Sequence, residues 1–358
     1  MSPFACTRRL AIGVLAALPA SMALAARIRI NGAGATFPQP LYAKWAADYE
    51  RESGVEVVYE AVGSGAGVER IEHGTVDFGA SDVPLTADEL RRAGLVQFPA
   101  AVGGVTPVVN IAGLRSGGLK LSGAVLAGIF LGRIAKWNAP EIAALNPGVT
   151  LPSSNITVVH RSDSSGTTFL WSDFLSRSSA DWKSAVGSGR TLSWPAGIGR
   201  TGNEGVAASV QRTRAAIGYV EFAYAKRHNL STAAVRNRDG LFVAPELGGF
   251  EAALRGARWD DATKLRESLI DQPGVASWPL TAATFILLRT RPAQPARSLE
   301  VLKFFDWALR HGRQAAIDLD YIPIPDAAIA AIGRAWAEQM RSADGSSLWP
   351  SGEAASRR

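Results

Sequence analysis

Four segments of this 358-residue chain share one design: glycines and hydroxyls placed where an apolar run gives way to a helical pattern. The first is GAGATFPQP, residues 32–40, with Thr36 and Phe37 just ahead of a helix. The second is GSGAG, residues 63–67, with Ser64 leading into the stretch Val68 to Ile71. The third, DFGASD at 77–82, ends at Ser81 and Asp82, and the fourth, RSDSSGTTF at 161–169, leaves an apolar run that closes at His160. The chemistry such loops suit is capture of an anion. A helix N-terminus leaves N–H groups unpaired and carries a partial positive charge. Glycine admits close backbone approach, and Ser or Thr adds a hydroxyl. Taken singly, each loop is also what an ordinary cap or turn looks like; several converging would enclose an oxyanion.

Catalytic and nucleotide-binding motifs fail in detail. A dinucleotide fingerprint would need Gly where Phe37 stands in the first loop, or where Val68 follows the second. No Gly-Lys-Ser/Thr occurs for a nucleotidase phosphate loop. A hydrolase elbow around Ser165 would need Gly where Asp163 stands. His73, His160, His228 and His311 show no paired metal-ligand spacing, so no metal and no cofactor is expected.

Composition sets wider bounds. The chain is 47% apolar and 20% charged, ordinary for a globular protein, and its length fits about two domains. Arg8 and Arg9, the apolar run Leu10 to Pro19 and the small-x-small triplet Ala23-Leu24-Ala25 read as a signal peptide over 1–25, too short in its apolar part to span a bilayer. The one cysteine, Cys6, falls inside it, so the processed chain would hold no disulfide and no thiol ligand. Thirty-eight Lys and Arg less Arg8 and Arg9 leave 36 against 32 acidic residues, a net charge of +4. That suits an anionic ligand, and no basic run is long enough to suggest nucleic acid.

The elements that must position the loops alternate short apolar runs with helical patterns, which predicts α/β with largely parallel sheets. Leu41, Trp45 and Tyr49 mark a helix after Pro38 and Pro40. Strands are expected at Val55 to Tyr59, Val76 to Ala80, Val105 to Ile111, Ile156 to His160 and Thr284 to Leu288. Thr86 with Glu89 forms a capping box, with Leu85 and Leu90 as its hydrophobic staple. A late helix carries Leu299, Leu302, Phe305 and Leu309 on one face and closes at Gly312. The polar stretch from Ser342 to Arg358, and 344–358 above all, is expected to be a disordered tail.

Three of these segments, GAGATFPQPLYAKW (32–45), TVDFGASD (75–82) and RSDSSGTTF (161–169), resemble signatures of bacterial periplasmic phosphate-binding proteins. The likeness continues in order through IAKWN (134–138), LNPG (145–148), AIGYVE (216–221) and LKFFDWA (302–308), so it covers nearly all of residues 31–340. It implies a type II periplasmic-binding-protein fold: two α/β lobes, 27–110 with 284–343 and 111–283, with a ligand cleft between them. It further implies a receptor that binds phosphate and delivers it to a membrane ABC permease with cytoplasmic ATPase subunits. It implies no enzymatic turnover, and a monomer is expected.

The likeness carries binding positions over one at a time. Ala35, Thr36 and Phe37 match the first phosphate-contacting loop, Phe37 through its backbone N–H with its ring in the core. Ser64 matches the second loop. Asp82 matches a carboxylate that accepts a proton from phosphate, Arg161 the single cationic ligand and Asp163 its paired acid. Ser165, Gly166 and Thr167 match the loop that donates backbone and hydroxyl hydrogen bonds. These residue types suit phosphate because an ionised Asp82 only accepts, and hydrogen phosphate has a proton to give where sulfate has none. A mismatched buried pair costs about 1–3 kcal/mol. Phosphohydrolase action on the same fold, or reception of phosphonate, arsenate or sulfate, are the competing readings.

Overall fold

The computed structural model describes residues 28–256 and 266–350; the leader 1–25 with Cys6, and the end of the tail, 351–358, lie outside the described residues. The first half of the chain runs β1 (Arg29–Gly34), α1 (Gln39–Ser53), β2 (Glu56–Ala61), α2 (Ser64–Glu72), β3 (Phe78–Ser81), α3 (Ala87–Ala93) and β4 (Leu95–Val109). Then come β5 (Leu119–Leu121), α4 (Gly123–Phe130), α5 (Pro140–Ala143), β6 (Thr157–Arg161), α6 (Gly166–Ser178), α7 (Ala180–Ala185), β7 (Ile198–Arg200) and α8 (Gly202–Arg212). After these follow β8 (Ala216–Glu221), α9 (Phe222–Arg227), β9 (Ser231–Arg236), β10 (Phe242–Val243) and α10 (Leu247–Arg255). The chain ends with β11 (Thr281–Arg289), α11 (Pro295–His311), α12 (Arg313–Asp318), β12 (Ile322–Pro323) and α13 (Asp326–Gln339).

The strands join in the order β2-β1-β3-β11-β4-β8-β6-β7, with β5, β9, β10 and β12 attached beside this path. The sheet is mixed rather than largely parallel. β1 runs parallel to β2 and β3, and β6 runs parallel to β7 and β8. Between these sets β11 lies antiparallel to β3 and β4, and β4 antiparallel to β8. The sheet therefore has two wings that meet along β4, whose 15 residues are all buried. Its pairing passes from β11 to β8 between Gly104 and Val105, ahead of the lobe boundary at 110 implied by the resemblance.

The expected strand began only at Val105; β4 starts ten residues earlier and takes in Pro99, which cannot donate to a ladder. The ladder accommodates the proline by a register shift: Thr284 faces Ala101 while Phe285 faces Pro99. Elsewhere the expected elements form within a few residues of their expected ends. The Thr86/Glu89 capping box is made, with Leu85 and Leu90 packed in one apolar cluster. α11 buries Leu302, Phe305 and Leu309, with Val301, Phe304 and Ala308 beside them, and stops at Gly312.

The tail departs from expectation. Ser342 to Pro350 is a turn, not an unstructured extension: Leu348 N–H donates to Met340 O at 3.0 Å, and the half-buried Trp349 meets Trp336 edge to face with centroids 5.2 Å apart. Its small polar residues masked two apolar anchors, Leu348 and Trp349, that find a place on α13. No described helix is long and apolar enough to cross a membrane.

Candidate functional site

Each wing sends the loops at the carboxyl ends of its parallel strands toward the other, the place where open α/β sheets hold ligands. The loops touch directly. Gly166 N–H, the first residue of α6, donates to Ser64 Oγ at 3.1 Å, and Gly65 N–H donates to Ser164 O at 3.1 Å. Asn203 at the start of α8 donates through Nδ2 to Thr36 Oγ1 at 2.9 Å, and Tyr224 O–H donates to Thr36 O at 2.6 Å. Two glycines are required by this closeness. A Cβ on Gly166 would lie 2.6 Å from Asp82 Cβ, and Gly63 sits at φ +98° with Ser164 O 2.7 Å from where its Cβ would be.

The first loop is oriented by its carbonyls. Ala35 N–H is taken by Ala80 O at 2.9 Å and Ala35 O accepts from Tyr59 O–H at 2.7 Å, so the backbone of Ala35 has no donor left for a ligand. Tyr224 fixes Thr36 O, and Tyr321 O–H fixes Phe37 O at 2.7 Å. In a trans peptide the N–H points opposite its carbonyl, so the N–H of Phe37 is turned away from Tyr224. It donates to no protein acceptor among the described residues. The Phe37 ring is fully buried, as expected, edge-on to Tyr321.

Asp82 is 2% exposed. Thr284 on β11 donates to Oδ1 at 2.9 Å, and Ser64 Oγ lies 3.5 Å from Oδ2 while accepting from Asp82 N–H at 3.2 Å. Burial pushes this carboxyl up to about 7, although Thr284, the charge of Arg161 and Ser64 each pull it down. The expected role was that of an ionised acceptor; burial draws this carboxyl toward its neutral form.

Arg161 ends β6 and is also 2% exposed. Its Nε donates to Asp163 Oδ1 at 2.7 Å and its Nη2 to Asp163 Oδ2, a bidentate pair. Nη1 is buried and meets no protein partner. Burial works against the charge of Asp163, but the Arg161 guanidinium and the Gly202 N–H, at 3.0 Å from Oδ1, hold its carboxyl below the usual range. Behind the arginine, Tyr219 Oη accepts from Arg161 N–H at 3.1 Å and shares a hydrogen bond with Thr168 at 2.7 Å. Its ring stacks on Trp171 at 5.0 Å.

In the fourth loop Ser165 caps α6, its Oγ accepting from Thr168 N–H at 3.1 Å, which leaves its hydroxyl proton free to donate. Thr167 is fully buried, and its N–H belongs to the first turn, which an α-helix leaves open. The structure therefore gathers Thr36, Phe37, Ser64, Asp82, Arg161, Asp163, Ser165, Gly166 and Thr167 around one buried spot, with Ala35 behind them as support. Among the described residues no group of three or more His, Cys, Asp or Glu could hold a metal.

The profile of the PBP superfamily domain matches residues 21–311. The phosphate-binding protein PstS of Pasteurella multocida is 49% identical over 337 residues, 94% of this chain and 98% of its own. The phosphate-binding protein PstS of Haemophilus influenzae is 48% identical over 312 residues, 87% of this chain and 93% of its own. The chain belongs to the PstS family of phosphate-binding proteins. Among solved structures, a high-affinity periplasmic phosphate-binding protein bound with phosphate superposes with a TM-score of 0.69 at 22% identity, over 86% of this chain and 94% of that one. A phosphate binding protein from Stenotrophomonas maltophilia gives 0.64 at 20% identity, over 85% and 92%. At that identity the likeness is one of fold: the two-lobed periplasmic-binding-protein architecture.

Sequence reasoning missed several residues of this PstS-family site. Asn203 lies in a fifth strand-to-helix loop, GRTGNEG at 199–205, of the same composition as the other four. That signal was present and passed over. Thr284, Tyr224, Tyr321 and Glu221 carried none, since they reach the loops only through sheet pairing or helix packing.

Proposed function

We propose that this chain is the periplasmic receptor for inorganic phosphate of an ABC importer. Carried on the leader 1–25, which is removed on export, it binds the anion between a lobe made of about 27–110 with 284–343 and a lobe of about 111–283. It then passes the ion, as a monomer and without chemical turnover, to a membrane permease driven by cytoplasmic ATPase subunits. One observation carries this reading. A buried guanidinium, held bidentately by Asp163, keeps one buried Nη1 unspent in the same enclosure as a carboxyl balanced near neutrality.

Each feature has a role toward a tetrahedral anion. Arg161 Nη1, the N–H groups of Phe37 and Thr167, and the hydroxyls of Thr36, Ser165 and Thr167 are the donors, with Ser64 joining them only when its proton leaves Asp82 Oδ2. Asp163 neutralises most of the arginine charge and keeps the guanidinium flat. Asp82 meets the one oxygen that carries a proton. Because its carboxyl titrates near 7, Asp82 is available with or without its own proton: ionised, it accepts the one proton of monohydrogen phosphate; protonated, it brings the pair a second proton. Sulfate fits only the protonated carboxyl.

Titration calorimetry of the processed chain with phosphate and with sulfate at pH ~8.5, where Asp82 is mostly ionised, tests the reading. Tight phosphate binding with sulfate weaker by about tenfold or more is expected. Equal affinity for both ions, or hydrolysis of a chromogenic phosphate ester, overturns it.

A further inference from the structure

A second buried carboxyl stands behind the first loop and takes no part in the contacts assigned to the anion. Glu221 ends β8 and is fully buried. Its Oε2 accepts from Ala223 N–H at 3.0 Å and lies 2.8 Å from Tyr321 Oη. Tyr321 Oη also lies 2.7 Å from the carbonyl of Phe37. A phenol has one proton to give. With that proton on Phe37 O, the approach of Oε2 to Tyr321 is a hydrogen bond only when Glu221 carries a proton of its own. An ionised Glu221 would take the tyrosine proton and leave Phe37 O facing a bare oxygen.

The surroundings favour the neutral acid. Oε1 is buried and meets no protein donor, and among the described residues no ion pair reaches Glu221. The charged and titratable groups around it are spent elsewhere or of the wrong sign. Asp320, between α12 and β12, pairs with Lys226 at 2.7 Å. Arg227 of α9 lies over the Tyr224 ring at 5.7 Å, and Glu204 of α8 faces His228 at 2.9 Å. Arg161 is held by Asp163, and Asp82, just past β3, acts on Tyr321 with the sign of another acid. Burial above all, with the charge of Asp320 adding to it, raises the proton affinity of Glu221 well above the ordinary carboxyl.

We propose that Glu221 is a positioning residue held protonated at neutral pH, its O–H donating to Tyr321 and Tyr321 to the Phe37 carbonyl, so that an uncharged hydrogen-bond chain sets the first loop toward the anion. The chain joins β8 of one wing to the loop after β1 of the other, and so ties the wings at the site. The proton matters twice: it completes the chain, and it keeps a bare negative charge from standing behind an anion site. As pH rises and Glu221 ionises, the Phe37 carbonyl loses its donor and the loop is released. This proposal rests on the phosphate reading.

The test compares the native chain with Glu221→Gln and Glu221→Ala, titrated with inorganic phosphate from pH ~6 to ~10. Gln has no proton to lose; because one atom stands where Oε2 meets both Tyr321 and Ala223, its amide keeps the donation to Tyr321 and gives up the bond from Ala223, at the same cost at every pH. Expected are a Gln variant between native and Ala at neutral pH, a loss of about tenfold in the Ala variant, and an alkaline loss in the native chain about tenfold steeper than in Gln. Parallel pH profiles for native and Gln, or a Gln variant as weak as Ala at neutral pH, overturn the latch. Chemical unfolding of the ligand-free proteins reads the same proton without phosphate. The native chain should lose stability relative to Gln as pH rises through the raised carboxyl value, and a gap that does not change with pH overturns the latch. Absence of phosphate binding in all three proteins would instead count against the phosphate reading, with the unfolding curves still deciding the latch.

Discussion

Two aspartates share one site and are driven in opposite directions. Asp82, at the end of β3, lies in a corner whose partners are two hydroxyls, and its carboxyl rises to about 7. Asp163, in the loop after β6, is only partly buried, and its carboxyl falls below the ordinary range because a guanidinium grips both oxygens and a backbone N–H adds a third donor. Burial penalises charge in both places, more completely at Asp82; what differs besides is that Arg161 grips Asp163 directly and reaches Asp82 only through its charge. The difference assigns the work. Asp163 is a permanent charge that shapes Arg161, whereas Asp82 is a group whose proton is negotiable with the ligand.

The largest effect is expected where the two halves of this contrast meet. Replacing Arg161 with Met removes the free Nη1 and strands Asp163 without its cation. Phosphate affinity should fall by about a hundredfold to a thousandfold, the cost of breaking a buried pair, ~3–5 kcal/mol. Calorimetric retention within threefold would break the pairing argument.

Asp82→Asn should come next. It fixes a neutral carboxamide where the native group titrates, so the preference for phosphate over sulfate should shrink by about tenfold to a hundredfold, more than overall binding does. Full selectivity in the variant would remove Asp82 from its role. Stability offers an independent reading. With a folded value near 7 against about 4 unfolded, Asp82 contributes stability that is complete below ~4 and is lost as pH rises through ~7. The ligand-free Asn variant should therefore gain on the native chain over that interval and level off above it. For the same reason sulfate should compete better with phosphate as pH falls through ~7, measured by competition calorimetry; a flat ratio would show that the carboxyl does not titrate there.

Asp163→Asn sharpens the contrast with a smaller loss. Phosphate binding should weaken by about tenfold with little change in the phosphate-to-sulfate ratio. The sign of its pH dependence is the reverse of that for Asp82. Its carboxyl is depressed on folding, so its contribution is present above the unfolded value of ~4 and disappears as pH falls through the lower folded one. A selectivity change as large as that in the Asp82 variant would erase the distinction between the two residues. The smallest effect lies far from the site: Trp349→Ala should cost ~1 kcal/mol by removing the edge-to-face contact with Trp336, seen as a lower unfolding midpoint with phosphate binding unchanged.

The anion-binding design was legible in the chain because each loop is local. Gly, Ser and Thr at the start of a helix announce their donors within a few residues, and the Thr86/Glu89 capping box was readable for the same reason. The first half of β4, missed from the sequence, takes in Pro99, whose place in a ladder depends on a register shift with β11, a strand nearly two hundred residues away in the chain. Trp349 was hidden by its polar neighbours, and its partner on α13 is visible only once the chain has turned back.

Residue type and order alone determined that oxyanion-suited loops exist, that one arginine and three aspartates stand among them, and that the chain alternates strands and helices. Only the tertiary structure decided which donors remain unspent: Arg161 Nη1 does, the N–H of Ala35 does not. It alone decided that Asp82 titrates near 7, because dehydration and the reach of Thr284 and Arg161 are properties of an assembled enclosure. A carboxyl in a sequence has a type; its proton affinity comes from neighbours that folding brings from distant parts of the chain.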